Sequence, residues 1–243
     1  MIYHNTIYCN DACVVINKIP GESSENILSE IFRSENIRLD NEGDKILEPV
    51  HRLDVPVSGC LLLARTPEAA AFLGTAFARR DSRIEKHYWA IVERPIEENV
   101  LPEKGELVHW LGVNSKTNKA FALPADTVSG SSPAGKHKGL KKAILRYRIA
   151  GQGDHYLFLE IELVTGRHHQ IRAQLAAMGL HIKGDLKYGA RRSEKSGGIR
   201  LHAYSLAFPN PQNSSEIIRV NVQPPAMDSL WTAFSEAVER NIF

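Results

Sequence analysis

The run His51-Arg52-Leu53-Asp54 passes through Ser58-Gly59 into the apolar stretch Cys60-Leu61-Leu62-Leu63. A carboxylate at the mouth of a buried strand, beside an arginine and a histidine, suits a nucleophile, a general base or an electrostatic stabiliser. A turn residue or ion-pair partner is the plainer use of the same aspartate. A second cluster, Thr165-Gly166-Arg167-His168-His169-Gln170-Ile171-Arg172, falls at a strand end and a helix start. Backbone N–H groups there favour an anion, and Arg172, one turn inside, can reach a carboxylate. The competing use is a basic helix start paired with structural acids. The third cluster is Gly184-Asp185-Leu186-Lys187-Tyr188-Gly189, followed by Arg191, Arg192 and Leu201-His202-Ala203. By composition alone it is a polar turn between glycines.

Other chemistries lack their residues. His168 and His169 do not have the i, i+4 spacing that aims two imidazoles at one metal, and no glutamate lies between paired histidines. There is no Walker-type phosphate loop, dinucleotide fingerprint or Gly-x-Ser-x-Gly elbow. Cys9, Cys13 and Cys60 make neither a disulfide framework nor a zinc knuckle. A cofactor-free reaction centred on an aspartate and an arginine remains. The 243 residues are 43% hydrophobic and 24% charged, which excludes disorder, collagen-like repeats and coiled coil. No apolar run reaches the ~18–20 residues of a membrane span, and the start does not read as a signal peptide, so the expected compartment is the cytoplasm.

Net charge is only +2, but it is segregated. Between Lys136 and Arg200 stand 14 Lys/Arg against 5 Asp/Glu, whereas the rest of the chain holds 16 basic and 23 acidic residues. A positive region on a near-neutral chain suits a polyanion approached from one side; a solvated basic face without a partner is the alternative.

Several elements must position these groups. Asn10-Asp11 predicts a hairpin between Ile7–Cys9 and Ala12–Asn17. Ile27, Leu28, Ile31 and Phe32 have helical spacing after Ser23-Ser24. Gly59–Arg65 reads as a buried strand, after which Thr66 caps and Pro67 opens a helix through Phe77. Ile84–Val92, Leu107–Val113, Ala143–Ile149, Tyr156–Leu163, Ile199–Phe208 and Ile217–Val222 read as strands. A helix is expected from about His168 to Met178, closed by Gly179. In the last helix Met227, Leu230, Trp231, Phe234 and Val238 share one apolar face. Val128–Leu140 is Gly/Ser/Lys-rich and reads as a surface loop. Strands without regular β-α alternation predict an α+β fold on a mixed, largely antiparallel sheet with flanking helices.

Taken together, His51-Arg52-Leu53-Asp54…Ser58-Gly59, Lys86-His87-Tyr88, Thr165-Gly166-Arg167-x-His169-Gln170-Ile171-Arg172, Gly184-Asp185-x-x-Tyr188-Gly189 and Leu201-His202-Ala203 resemble the RluA-type pseudouridine synthases in order and spacing. The resemblance covers roughly Ile7 to Val222. It implies the pseudouridine synthase catalytic domain, with its active site in a central basic cleft. It also implies isomerisation of uridine in RNA without metal or organic cofactor. By the same resemblance Asp54 is the catalytic aspartate, Tyr88 stacks on the target base and acts at C5, and Arg172 is the basic residue paired with Asp54. Arg52 takes the place of the flipped-out base. His51, Arg167, His169, Gln170, Lys141, Lys142, Arg191 and Arg192 are the expected RNA contacts.

The chemistry suits these types. Cleavage at C1′ leaves an electron-poor sugar that a carboxylate stabilises, and Asp54 either attacks C1′ or removes the 2′ proton. The target uridine must leave its stack, held meanwhile by a basic surface. Departures from the family are Val55-Pro56-Val57 after the aspartate, where a basic residue, Asp and Thr are usual, and His168, where Thr or Ser is commoner. His181-Ile182 and Leu145 also depart. The expectation is therefore one catalytic domain over 1–243, with a C-terminal helix over 226–241 and no preceding S4 domain. It would act as a monomer on a ribosomal or transfer RNA stem-loop. An idle RNA-binding protein on the same scaffold is the alternative, and a metal-dependent nuclease using Asp54, Asp185 and histidines a distant third.

Overall fold

A computed structural model describes residues 6–25, 27, 47–94, 101–127, 139–195 and 197–240. In chain order the elements are β1 (Thr6–Cys9), β2 (Cys13–Lys18), β3 (Glu48–Pro49), β4 (Ser58–Ala64), α1 (Pro67–Arg79), β5 (Glu85–Glu93), β6 (Lys104–Asn114) and β7 (Lys119–Pro124). Then come β8 (Lys141–Gln152), β9 (Tyr156–Glu162), α2 (Gln170–Ala177), β10 (Leu201–Asn210), β11 (Asn213–Asn221) and α3 (Ser229–Arg240). They fall into two compact units, Met1–His87 with His202–Met227, and Tyr88–Leu201 with Asp228–Phe243.

In the first unit the strand order is β1-β2-β4-β10, with β3 on β4 and β11 on β10. The Asn10 carboxamide closes the first hairpin by accepting from Ala12 N at 3.0 Å and Cys13 N at 2.8 Å, as Asx turns do. β2 runs antiparallel to β4, Cys13 opposite Ala64 and Lys18 opposite Gly59. Both strands are buried on both faces, which is why they read as continuous apolar runs. Val15, Leu62, Phe208 and Val220 meet Leu73 of α1 on one side, while Val14, Ile16, Leu61 and Leu63 pack with Ile27 and Leu47 on the other. α1 begins as expected, the Thr66 hydroxyl accepting from Ala69 N at 3.2 Å with Pro67 at the first turn.

The second unit orders its strands β5-β9-β8-β6-β7, antiparallel from β9 through β7. α2 packs on this sheet through Ala173 against Leu111, Ala120, Ala143 and Tyr188. α3 inserts Phe234 against Trp89 at 4.9 Å and Phe158 at 5.3 Å.

Among the described residues the mixed, mostly antiparallel sheet and three helices match the expected fold class. Three expectations change. β7 is an added strand, missed because Lys119–Pro124 is short, ends in proline and does not alternate apolar with polar residues. α2 starts at Gln170 rather than His168, because His169 has left-handed backbone at φ 51. On α3 Ala237 takes the buried position while Met227 lies outside the helix and is 45% exposed. All but Ile27 of the helix expected over Ile27–Phe32, and most of the Val128–Leu140 loop, lie outside the described residues.

Candidate active site

In the first unit Asp54 is half-buried on the segment leading into β4. Both of its neighbours are pinned. The backbone of Leu53 makes two bonds with Ser24, its N–H donating to Oγ at 3.1 Å and its carbonyl accepting from Oγ at 3.1 Å. The Val55 carbonyl accepts from Gly21 N at 2.8 Å and from Lys18 Nζ at 3.2 Å. Lys18 is wholly buried, and its ammonium also donates to the carbonyls of Ile19 and Glu22, both at 3.0 Å. Burial pushes Lys18 down to about 8, although the charges of Glu22 and Asp54 favour its protonated form. The turn across Val55-Pro56 is closed by Val57 N donating to the Asp54 carbonyl at 2.9 Å. Pro56 lacks an N–H, and this turn does not use one. The altered Val55-Pro56-Val57 sequence therefore leaves the aspartate on a fixed loop.

Where the loop enters β4, the Ser58 hydroxyl meets Nδ1 of His202 at 2.8 Å, and His202 Nε2 donates to the Val222 carbonyl at 2.9 Å. Ser58 thus donates a hydrogen bond to a neutral imidazole. β4 and β10 pair in parallel here, and they can approach because residue 59 is glycine: at φ +120 a Cβ would stand 2.3 Å from the Ala203 carbonyl oxygen.

His51 supports the same segment. Its ring stacks on Phe77 at 5.1 Å, and Nε2 accepts from Leu62 N at 3.1 Å. Burial, with the nearby Lys86 charge, pushes its value down to about 3. An uncharged ring so engaged braces the loop. Arg52 remains exposed, with Glu25 at 3.1 Å.

In the second unit Arg172 is buried on the first turn of α2. Its Nε and Nη2 grip Asp185 at 2.7 and 2.8 Å, a two-pronged pair in which both side chains are at most 5% exposed. Tyr188 lies under the guanidinium at 4.8 Å and under Lys119 at 4.9 Å. Gly184 and Gly189, both at positive φ, turn the chain so that Asp185 and Tyr188 face inward. The third cluster, a bland turn by composition, thus anchors the arginine of the second. Tyr88 is buried on β5.

Gln170, expected at the RNA, is instead internal. Its Oε1 accepts from the Thr165 hydroxyl at 2.8 Å and from Arg167 N at 3.0 Å, and its Nε2 donates to the Ile144 carbonyl at 3.0 Å. With both ends of the amide occupied at 3% exposure, it shapes the turn. His169 Nδ1 meets the Tyr188 hydroxyl at 2.9 Å. Arg167 reaches the Lys142 carbonyl through Nε at 3.3 Å. Lys141, Lys142 and Arg192 are exposed and make no ion pair among the described residues, whereas Arg191 stands 3.8 Å from Glu93.

A model of the family described as RNA pseudouridylate synthase matches residues 12–177. An uncharacterised RNA pseudouridine synthase of Zymomonas mobilis is 35% identical over 158 residues, 65% of this chain and 64% of that protein. The tRNA pseudouridine synthase C of Haemophilus ducreyi is 30% identical over 224 residues, 87% of each chain. Among solved structures, human RNA pseudouridylate synthase domain containing 4 superposes with a TM-score of 0.70 at 20% identity, over 96% of this chain and 92% of that one; that likeness speaks for the fold. The matched stretch carries the pinned Asp54 loop, Tyr88 on β5 and Arg172 on α2, and on this ground the chain belongs to the RluA-type RNA pseudouridine synthases.

Proposed function

We propose that the protein isomerises uridine to pseudouridine in ribosomal or transfer RNA, with Asp54 as the catalytic carboxylate. The observation that supports Asp54 is the double pinning of its loop, through Ser24 on Leu53 and through Lys18 and Gly21 on Val55. A carboxylate fixed in this way meets the sugar without first being ordered, which is where preorganised sites gain their rate. In the reaction the N1–C1′ bond breaks and the uracil turns. C5 then bonds to C1′, C5 loses its proton, and N1 gains one. Asp54 acts on the electron-poor sugar, Tyr88 holds the base and takes part at C5, and Arg172 is the basic residue, oriented by Asp185. Arg52, exposed beside Glu25, fills the place of the extruded base. Arg167, His169, Lys141, Lys142, Arg191 and Arg192 hold the RNA. In this reading the protein works as a single catalytic domain, monomeric and cytoplasmic, without metal or organic cofactor. Among the described residues no helix is long and apolar enough to cross a membrane.

The test is pseudouridine formation by the purified protein on bulk ribosomal and transfer RNA, with and without chelator. Product is expected in both. Asp54→Asn and Asp54→Ala should abolish turnover while RNA affinity stays within a few-fold, because affinity comes mainly from phosphate contacts. Turnover by Asp54→Ala near the wild-type rate overturns the assignment. RNA binding with no product from the wild type returns the idle RNA-binding reading.

A further inference from the structure

His168 and His169 lie just before α2, and their rings stack at 3.8 Å with planes 22° apart. Neighbouring residues on regular backbone rarely bring their side chains face to face. Here the left-handed conformation of His169, φ 51 and ψ 27, accompanies that arrangement. Such a conformation is uncommon outside glycine, and His169 is held in it by several contacts. Ala120 N on β7 donates to the Tyr188 hydroxyl at 2.8 Å, and that hydroxyl meets His169 Nδ1 at 2.9 Å. Tyr188 also packs edge-on to the His169 ring at 5.7 Å, and Ala173 N donates to the His169 carbonyl at 2.9 Å. His169 is therefore a fixed base plate. His168 rests on it, exposed, and among the described residues its ring makes this stack and no hydrogen bond or ion pair.

A flat aromatic face held rigid, exposed and without a polar partner is suited to one kind of ligand group, another flat ring. Its surroundings are cationic: Arg167 precedes it, and Arg167 Nε lies on the carbonyl of exposed Lys142, beside exposed Lys141. A metal is disfavoured, because near-parallel rings point their in-plane lone pairs side by side instead of at one centre. Aromatic faces beside lysines and arginines are how proteins hold unpaired bases. We infer that His168, braced by His169, is a stacking platform for an unpaired base next to the target uridine, and so a residue that sets which RNA loop is accepted. The inference rests on the proposed function and goes beyond it. His168 belongs to a different element from Tyr88, and it acts on a neighbouring base.

The experiment uses the full-length protein with RNA hairpins that carry one loop uridine and 2-aminopurine at each other loop position in turn. Fluorescence of the analogue reports stacking, and pseudouridine formation is followed on matching unlabelled hairpins. The wild type should quench strongly at one loop position. His168→Ala and His168→Ser should lose that quench and raise KM about tenfold, with kcat within about twofold and an unchanged melting temperature. His168→Phe, which keeps a flat ring and loses the nitrogens, should retain both the quench and the wild-type KM. Quenching unaltered in His168→Ala at every position, or His168→Phe behaving like His168→Ala, overturns the platform. A wild type that quenches through His168 but makes no pseudouridine in any RNA overturns the enzymatic reading and leaves the platform supported.

Discussion

In the neutral His202 ring one nitrogen accepts from the Ser58 hydroxyl and the other donates to Val222, and burial makes a second, charging proton costly. Burial lowers the ring's pKa to about 4 from 6.5, against the opposing pull of the Val222 carbonyl. The unfolded chain therefore takes up the proton first. Stability contributed by neutral His202 is complete above 6.5 and is lost as pH falls from 6.5 towards 4, by about 3 kcal/mol in all. His51 extends the loss towards 3. Melting temperature should accordingly drop on acidification through this window. His202→Gln, which can still accept from Ser58 and donate to Val222, should show a shallower drop. Parallel pH profiles for the two proteins would show that the ring proton is not what acid disturbs. Lys18 has the same sign in a higher window: its charge weighs against the fold below about 8, and that burden lifts as pH rises between about 8 and 10.5.

Between elements, the tightest constraint is Gly59, where β4 meets β10. A methyl there would collide with Ala203 backbone, and strand backbone cannot move aside cheaply. Gly59→Ala should cost about 3 kcal/mol or more and depress turnover, since β4 is the continuation of the Asp54 loop. Gly74→Ala on α1, where a Cβ meets nothing within 4 Å, should be neutral or stabilising by up to about 1 kcal/mol. Denaturant melts of the two variants separate strand contact from glycine loss in general; equal effects would refute the close approach. Much of this level was legible in the chain. Asn10, Thr66-Pro67 and the Leu61-Leu62-Leu63 run each carry a local signal, and each sits where that signal predicts. The partners of Arg172 and Leu53 were not legible, because Asp185 belongs to a stretch whose composition signals only a turn and Ser24 to one that signals only a helix start. The internal partners of Gln170 and His51 were not legible either: polar residues beside such motifs look like ligand contacts, and their bonds to Thr165 and Leu62 show only in the fold.

At the scale of the molecule, the basic stretch is less free than its count of charges. Arg146 is taken by Glu106 and Glu162, Arg148 by Glu160, and Arg172 by Asp185. Lys183 and Arg200 share Glu194, and Arg200 also holds Asp228 at the start of α3. Lys141, Lys142 and Arg192 stay exposed without such partners among the described residues, with Arg191 only loosely held. These four are expected to carry the electrostatic part of RNA affinity. Neutralising Lys141 with Lys142, or Arg191 with Arg192, should weaken binding at low salt and reduce the slope of log affinity against log salt by about 1–2. Neutralising the paired Arg146 and Arg148 should leave that slope nearly unchanged. Filter binding across a salt series decides it, and a slope unaltered in the first two double variants would leave the charge excess as a solvated face.

The Ser58–His202 clasp joins residues 144 positions apart, and it has a consequence for synthesis. A chain emerging from the ribosome presents Asp54 early, but the strand that aligns with β4 is made only when most of the protein is already out. Until then the N-terminal strands lack β10 and β11, and their apolar faces wait uncovered. Pairings this distant along the chain form slowly. The aspartate therefore acquires its setting only near the end of translation, and a nascent or prematurely terminated chain carries Asp54 without the strand that aligns its loop.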